Sequence, residues 1–192
     1  DLTLKNININ SIDLESWSPK ESEYDLILSN FYLNISNNLS EVLDKIKISL
    51  VPNGFFLTTL PSPENFHLLK ASMIKTDIQL YGGAYNRFNR TIDLQKIIEI
   101  LKKNNFKIPS VNSENITLEY KDFNKLLFDV KSMQLSYYYN DKKNTFEKKK
   151  YFKKLEENFY KNSKGFFVLT SDFFVVSGWK EHSSQQKPLK PG

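Results

Sequence analysis

The chain predicts an α/β fold, and the stretch from Tyr24 to Leu60 carries that prediction. An apolar run, Asp25-Leu26-Ile27-Leu28-Ser29-Asn30, precedes a helical spacing of Leu39, Val42, Leu43, Ile46 and Leu50. A second apolar run follows, Phe55-Phe56-Leu57-Thr58-Thr59-Leu60. A buried strand, a crossover helix and a second buried strand form one parallel βαβ unit. Pro52-Asn53-Gly54 is turn chemistry that stops the helix and opens the second strand.

The other elements follow in order. Ile7 and Ile9 share one face of a short strand at 4–10, and a polar loop containing Pro19 runs from Asp13 to Ser22. Ser62-Pro63-Glu64 combines a cap, a proline for the first helical position and an early acid, so a helix starts there. It runs to about Leu80, where Gly82-Gly83 breaks it. Thr91 caps a helix with Leu94, Ile97, Ile98 and Leu101 on one face, ending at Asn104-Asn105. Phe106–Tyr120 is strand material interrupted by Pro109. Phe123, Leu126, Leu127 and Val130 mark a further helix, 145–161 a Lys-rich helix and 166–179 a long apolar strand. Ser183–Gly192 reads as a flexible tail.

Composition narrows the function classes. A chain of 192 residues with 40% hydrophobic content buries one sizeable core. There is no cysteine, and His67 and His182 are the only histidines, so no metal site is expected. The net charge of +5 comes from lysines, with Arg87 and Arg90 the only arginines. Base readout favours the arginine fork, so no nucleic-acid partner is expected. No apolar stretch is long enough to span a bilayer and no secretory signal opens the chain, which predicts a cytoplasmic location.

Tyr24-Asp25-Leu26-Ile27 with Ser29-Asn30, followed by Leu50-Val51-Pro52-Asn53-Gly54, resembles strands four and five of a class I S-adenosylmethionine-dependent methyltransferase. The resemblance implies a Rossmann-like fold seen from about the third strand onward, with 106–120 and 166–179 as its antiparallel last strands. Residues 1–182 would belong to that domain, with insertions at 61–90 and 121–162 where such enzymes carry substrate covers. The implied cofactor is S-adenosylmethionine. Asp13 would accept a hydrogen bond from the adenine amino group, Ile12 and Leu14 would flank the ring, and Ser29 and Asn30 would meet the methionyl part.

On the substrate side, Asn34 follows strand four. His67 could face substrate from the 61–90 cover, and Arg87 could hold a carboxylate or an acidic partner. For His67 and Arg87 the alternatives are a surface histidine and a solvated loop.

The end of the last strand, Ser177-Gly178-Trp179-Lys180-Glu181-His182-Ser183-Ser184-Gln185-Gln186-Lys187-Pro188, resembles a narrower group. These are the methyltransferase-like assembly factors of respiratory complex I and their bacterial relatives, which are also similar to malonyl-carrier-protein methyltransferases. Tyr81-Gly82-Gly83 falls in the same register. The resemblance implies methyl transfer to an acceptor. The alternative is arginine hydroxylation, or a non-catalytic role in assembling complex I, with a protein substrate or a respiratory-complex subunit as partner.

The departures are specific. Asn34-Ile35 and Asn38 replace a His/Gln-Trp pair and an acid, Leu68 a Glu, Arg90-Thr91 a Pro-Phe, and Met133-Gln134 with Tyr137 a Met-Gly with Asn. The glycine-rich cofactor loop is absent. In the full fold, strand neighbours run third, second, first, fourth, fifth, seventh, sixth, so strand four is left with an open edge here. Upstream residues, a partner polypeptide or a second copy, as a homodimer, would cover it. Tyr137–Tyr139 could stack on a planar ligand or pack against the cover. Lys148–Lys150 and Lys153-Lys154 alternate with Phe152, Leu155 and Phe159, a basic amphipathic helix suited to anionic lipid or an acidic protein surface.

Overall fold

The computed structural model describes residues 11–133 and 147–185. The strand expected at 4–10, Tyr137–Tyr139 and the tail from Gln186 lie outside the described residues. Along the chain run β1 (Tyr24–Asn30), α1 (Leu39–Ser49), β2 (Leu50–Pro61), α2 (His67–Tyr81), α3 (Leu94–Lys103), β3 (Lys107–Tyr120), α4 (Phe123–Ser132), α5 (Lys149–Asn158) and β4 (Phe167–Trp179). A single 3₁₀ turn occupies Leu33–Ile35.

β1 pairs parallel with β2, placing Leu28 opposite Leu57 and Asn30 opposite Thr59. β4 lies antiparallel between β2 and β3, so the sheet order is β1-β2-β4-β3. That is the order expected of strands four, five, seven and six. The crossover α1 is capped by Asn38, whose side chain accepts from the Glu41 amide at 3.3 Å. Its buried stripe of Leu39, Val42, Leu43 and Ile46 packs with Ile97 and Leu101 of α3 over Phe56, Phe174 and Val176 of the sheet.

Where local signals and packing competed, packing moved the boundary. Pro52-Asn53-Gly54 is not a turn before the strand but a bulge inside β2. The register steps from Tyr24↔Leu50 to Leu26↔Phe55, and Asn53 takes φ +66°. A Cβ on Gly54 would sit 2.8 Å from the Val51 carbonyl oxygen, so only glycine fits there. The helix expected from Ser62-Pro63-Glu64 begins instead at His67. Asn65 Oδ1 accepts from Ser171 Oγ at 3.2 Å and from the Asp172 amide at 3.1 Å, while the Phe66 amide donates to the Thr170 carbonyl. These bonds tie the segment to β4 and hold Phe66 at φ +57° with its ring fully buried.

α3 is capped by Asp93, not Thr91: Asp93 Oδ1 accepts from the Lys96 amide at 2.7 Å, where the helix dipole favours a carboxylate. Pro109 sits within β3, which is an edge strand whose register shifts between Lys107 and Ser110. Within the described residues the Lys-rich helix expected over 145–161 runs from 149 to 158, and 145 and 146 lie outside them.

The two insertions meet in a second core. Phe66 and Leu69 of the first pack with Phe123, Leu126, Tyr151 and Leu155 of the second, against Leu169 of β4. Opposite α1 and α3, the other face of β1 is bare: Leu26 is 51% and Leu28 64% exposed. No described strand pairs with the outer edge of β1.

The chain's most distinctive string has a structural account. A Cβ on Gly178 would lie 3.0 Å from two atoms of the Phe106 side chain, and the Trp179 ring centroid is 4.5 Å from that of Phe55. Lys180 Nζ donates to the carbonyls of Leu50 at 2.6 Å and Ile48 at 3.1 Å. Gln185 Nε2 donates to Asn53 Oδ1 and to the Lys180 carbonyl, so the expected flexible tail is fastened as far as Gln185.

Candidate functional site

In a parallel pair, ligands lie beyond the carboxyl ends of the strands. Here those ends are Asn30 and Thr59. Thr59 Oγ1 donates to Asn30 Oδ1 at 2.6 Å and accepts from the Phe31 amide at 3.0 Å. This local lock holds Phe31 at φ +49° and turns the chain into the 3₁₀ turn.

A groove of about 450 Å³ runs along β1 to that point, walled by Ile12, Leu14, Leu26, Leu28, Ser29 and Asn30. Its volume is within the range of small-ligand sites. The Tyr32 hydroxyl donates to the Ile12 carbonyl at 3.1 Å and ties the 12–17 turn across the groove. Among the described residues, Ser29 Oγ is buried and has no hydrogen-bond partner.

Asp13 is placed differently from its neighbours. Its carboxylate accepts from Ser16 Oγ at 2.8 Å and from the Glu15 amide, while its carbonyl accepts from the Trp17 amide. The Ser16 hydrogen bond, then that of Glu15, holds its pKa below the ordinary aspartate value. The structure therefore brings Ile12, Leu14, Ser29 and Asn30 to one groove and points Asp13 at its own turn. For an adenosyl group, the apolar walls and the unpartnered Ser29 hydroxyl fit.

The three residues read as substrate-facing do not converge. Asn34 lines a separate cavity of about 370 Å³ with Arg90 and Leu60, which meets the groove at Leu33. Its amide oxygen and nitrogen are both buried without a partner. His67 heads α2, with Nδ1 3.1 Å from Thr170 Oγ1 and 3.8 Å from Asp172 Oδ2. Arg87 lies inside the second core. Its guanidinium meets Asp77 and Glu147, with Tyr151 stacked beneath at 4.6 Å. Burial pulls its pKa down, but the hydrogen bonds to the two carboxylates outweigh this and hold it above the ordinary arginine value.

A third cavity, about 640 Å³, was not foreseen. It shares Asn30 and Tyr32 with the groove and is walled by Phe31, Thr59, Ile116 and Phe173. Phe31 and Phe173 meet edge to face at 5.4 Å. The polar Thr58-Thr59 pair ending an apolar strand was the available signal.

This sheet order, with a groove at the carboxyl end of its parallel pair, is the class I methyltransferase fold, and solved structures share it. The YcgJ protein from Bacillus subtilis superposes with a TM-score of 0.58 at 11% identity, over 94% of this chain and 74% of that one. A candidate methyltransferase from Bacillus halodurans C-125 gives 0.51 at 13% identity, over 88% and 70%.

In sequence the chain is similar to the arginine-hydroxylase NDUFAF5, mitochondrial, of Dictyostelium discoideum, at 30% identity over 97% of this chain and 43% of that protein. The Homo sapiens protein of the same name is 23% identical over 90% and 51%. The malonyl-[acyl-carrier protein] O-methyltransferase of Nitrosospira multiformis is 26% identical over 63% and 38%. The chain spans about half the length, or less, of the curated relatives it matches. No family model matches it. The resemblance read from Gly178-Trp179-Lys180 therefore holds.

The cytoplasmic location does not. The relatives named NDUFAF5 are mitochondrial by name, and composition carries no compartment signal that would have shown it. Among the described residues no helix is long and apolar enough to cross a membrane.

Proposed function

We propose that this chain carries the acceptor side of an S-adenosylmethionine-dependent methyl-transfer site that modifies a protein in mitochondria. The observation that supports it most is the apolar groove ending at the buried, unpartnered Ser29 hydroxyl. Ile12 and Leu14 would hold the adenine, and Ser29 and Asn30 the methionyl part. Asp13, already accepting from Ser16 and the Glu15 amide, keeps lone pairs that would accept from the adenine amino group. The cofactor supplies an already activated methyl group, so the chain's task is to align the acceptor and keep water out. The cavity behind Asn30, between Phe31 and Phe173, is the proposed acceptor entrance.

The front of the groove needs further strands beside β1. The longer relatives have length enough to carry them, and the bare Leu26 and Leu28 face is the surface they would cover. Equilibrium dialysis of radiolabelled S-adenosylmethionine tests the reading. Saturable binding that disappears in Leu28→Glu supports it. No saturable binding, either to this chain or to a longer form carrying further strands beside β1, overturns it.

Similarity to proteins named arginine-hydroxylase supports a second reading. In it, the same groove serves arginine hydroxylation, or the fold acts without catalysis as a complex I assembly factor. Mass spectrometry of a modified partner separates the three. Methyl transfer adds the mass of a methylene, hydroxylation that of an oxygen, and an assembly role neither.

A further inference from the structure

A groove that shares no lining residue with the one along β1 has no part in the proposed chemistry. It lies between α4 and α5, has a volume of about 400 Å³, and is lined by Met73, Phe88, Leu127, Phe128, Val130 and Phe152. Phe128 is 68% and Phe152 41% exposed, although their neighbours Leu126, Tyr151 and Leu155 are buried. Phe128 and Phe152 thus stand at the lip of an apolar cleft that the two helices leave open.

The rim is basic. Lys131 lines the groove, Lys125 lies one turn before Phe128 on α4, and Lys149 lies one turn before Phe152 on α5. None of the three ammonium groups makes an ion pair or hydrogen bond among the described residues. Arg87 also lines the groove, but Asp77 and Glu147 already neutralise it. Glu156, one turn beyond Phe152, is the counter-charge on that rim.

We propose that this groove is a docking site for an acidic amphipathic protein segment, its apolar side chains seated against Phe128 and Phe152 and its carboxylates on Lys125, Lys131 and Lys149. An apolar cleft rimmed by unpaired charge of one sign is what such a segment complements. The apolar surface is concave, which suits an inserted side chain better than a flat bilayer.

The test is fluorescence anisotropy with a labelled helical peptide carrying Phe and Leu four residues apart and glutamates elsewhere. The full chain should bind it, more weakly as salt rises. Phe128→Ser and the Lys125→Glu/Lys131→Glu/Lys149→Glu variant should each weaken binding about tenfold or more. Circular dichroism of both variants should be unchanged, because all these side chains are at the surface. A peptide with its Phe and Leu replaced by Ser should not bind. Absence of binding, or binding indifferent to Phe128, overturns the proposal. So does phosphatidylglycerol-vesicle binding that needs the same residues, which would make the surface a bilayer contact.

Discussion

Arg87 closes on Asp77 through two hydrogen bonds, Nε to Oδ2 at 3.0 Å and Nη2 to Oδ1 at 2.5 Å. Asp77 is completely buried, and the Arg87 side chain is only 16% exposed. The same guanidinium reaches Glu147 at 2.6 Å, so one cation joins α2, the loop after it and the segment just before α5. Removing it strands a buried carboxylate. Arg87→Met should cost about 3–5 kcal/mol, measured by urea unfolding. Adding Asp77→Asn should recover part of that loss, since an amide still accepts from the Tyr85 amide without carrying charge.

Gly178 lies under the Phe106 ring with no room for a methyl group. Gly178→Ala should destabilise the chain by about 1–3 kcal/mol, because either β4 or Phe106 must shift. Phe106→Leu should reduce that penalty, and the thermal midpoints of the single and double variants check it.

Burial pushes the Tyr120 phenol up to about 12, with a hydrogen bond to Asp129 adding to the shift. Tyr151 in the same core is also raised, chiefly by burial. In the unfolded chain a tyrosine ionises near 10.0. Above that pH the unfolded state has released a proton that the folded state still holds, so stability falls as pH rises. The fall should span pH 10.0 to about 12, with no effect below. Tyr120→Phe should make it shallower in urea unfolding across that window.

Among the described residues no strand pairs with the outer edge of β1, and its face at Leu26 and Leu28 is apolar and exposed. Such an edge recruits strands. The isolated chain should self-associate as its concentration rises, and Leu28→Lys should reduce this in sedimentation velocity. A monodisperse wild-type monomer at all concentrations would show that the edge is closed by something else.

Much of the fold was legible because burial leaves a period in the sequence. The spacing of Leu39, Val42, Leu43 and Ile46 marks α1's buried side, and the apolar runs around Leu28 and Leu57 mark strands covered on at least one face. Ile12, Leu14, Ser29 and Asn30 were named together only through the family resemblance, and the structure lines one groove with them. The start of α2 was not readable, because Asn65 and Phe66 answer to Ser171, Asp172 and Thr170, a hundred residues away. Arg87 was misleading for the same reason: an arginine after a glycine pair looks free until Asp77 and Glu147 arrive beside it.

From the sequence alone came the crossover unit, the succession of strands and helices, and which side of each is apolar. These are properties of neighbouring residues, and local geometry expresses them directly. Tertiary structure alone decided which polar groups satisfy one another. It turned Asp13 to Ser16, gave Arg87 two carboxylates, left the Ser29 hydroxyl and the Asn34 amide without partners among the described residues, and opened a cleft between α4 and α5. Hydrogen-bond partners are chosen by which surfaces meet, and the spacing of residues along a chain does not record that meeting.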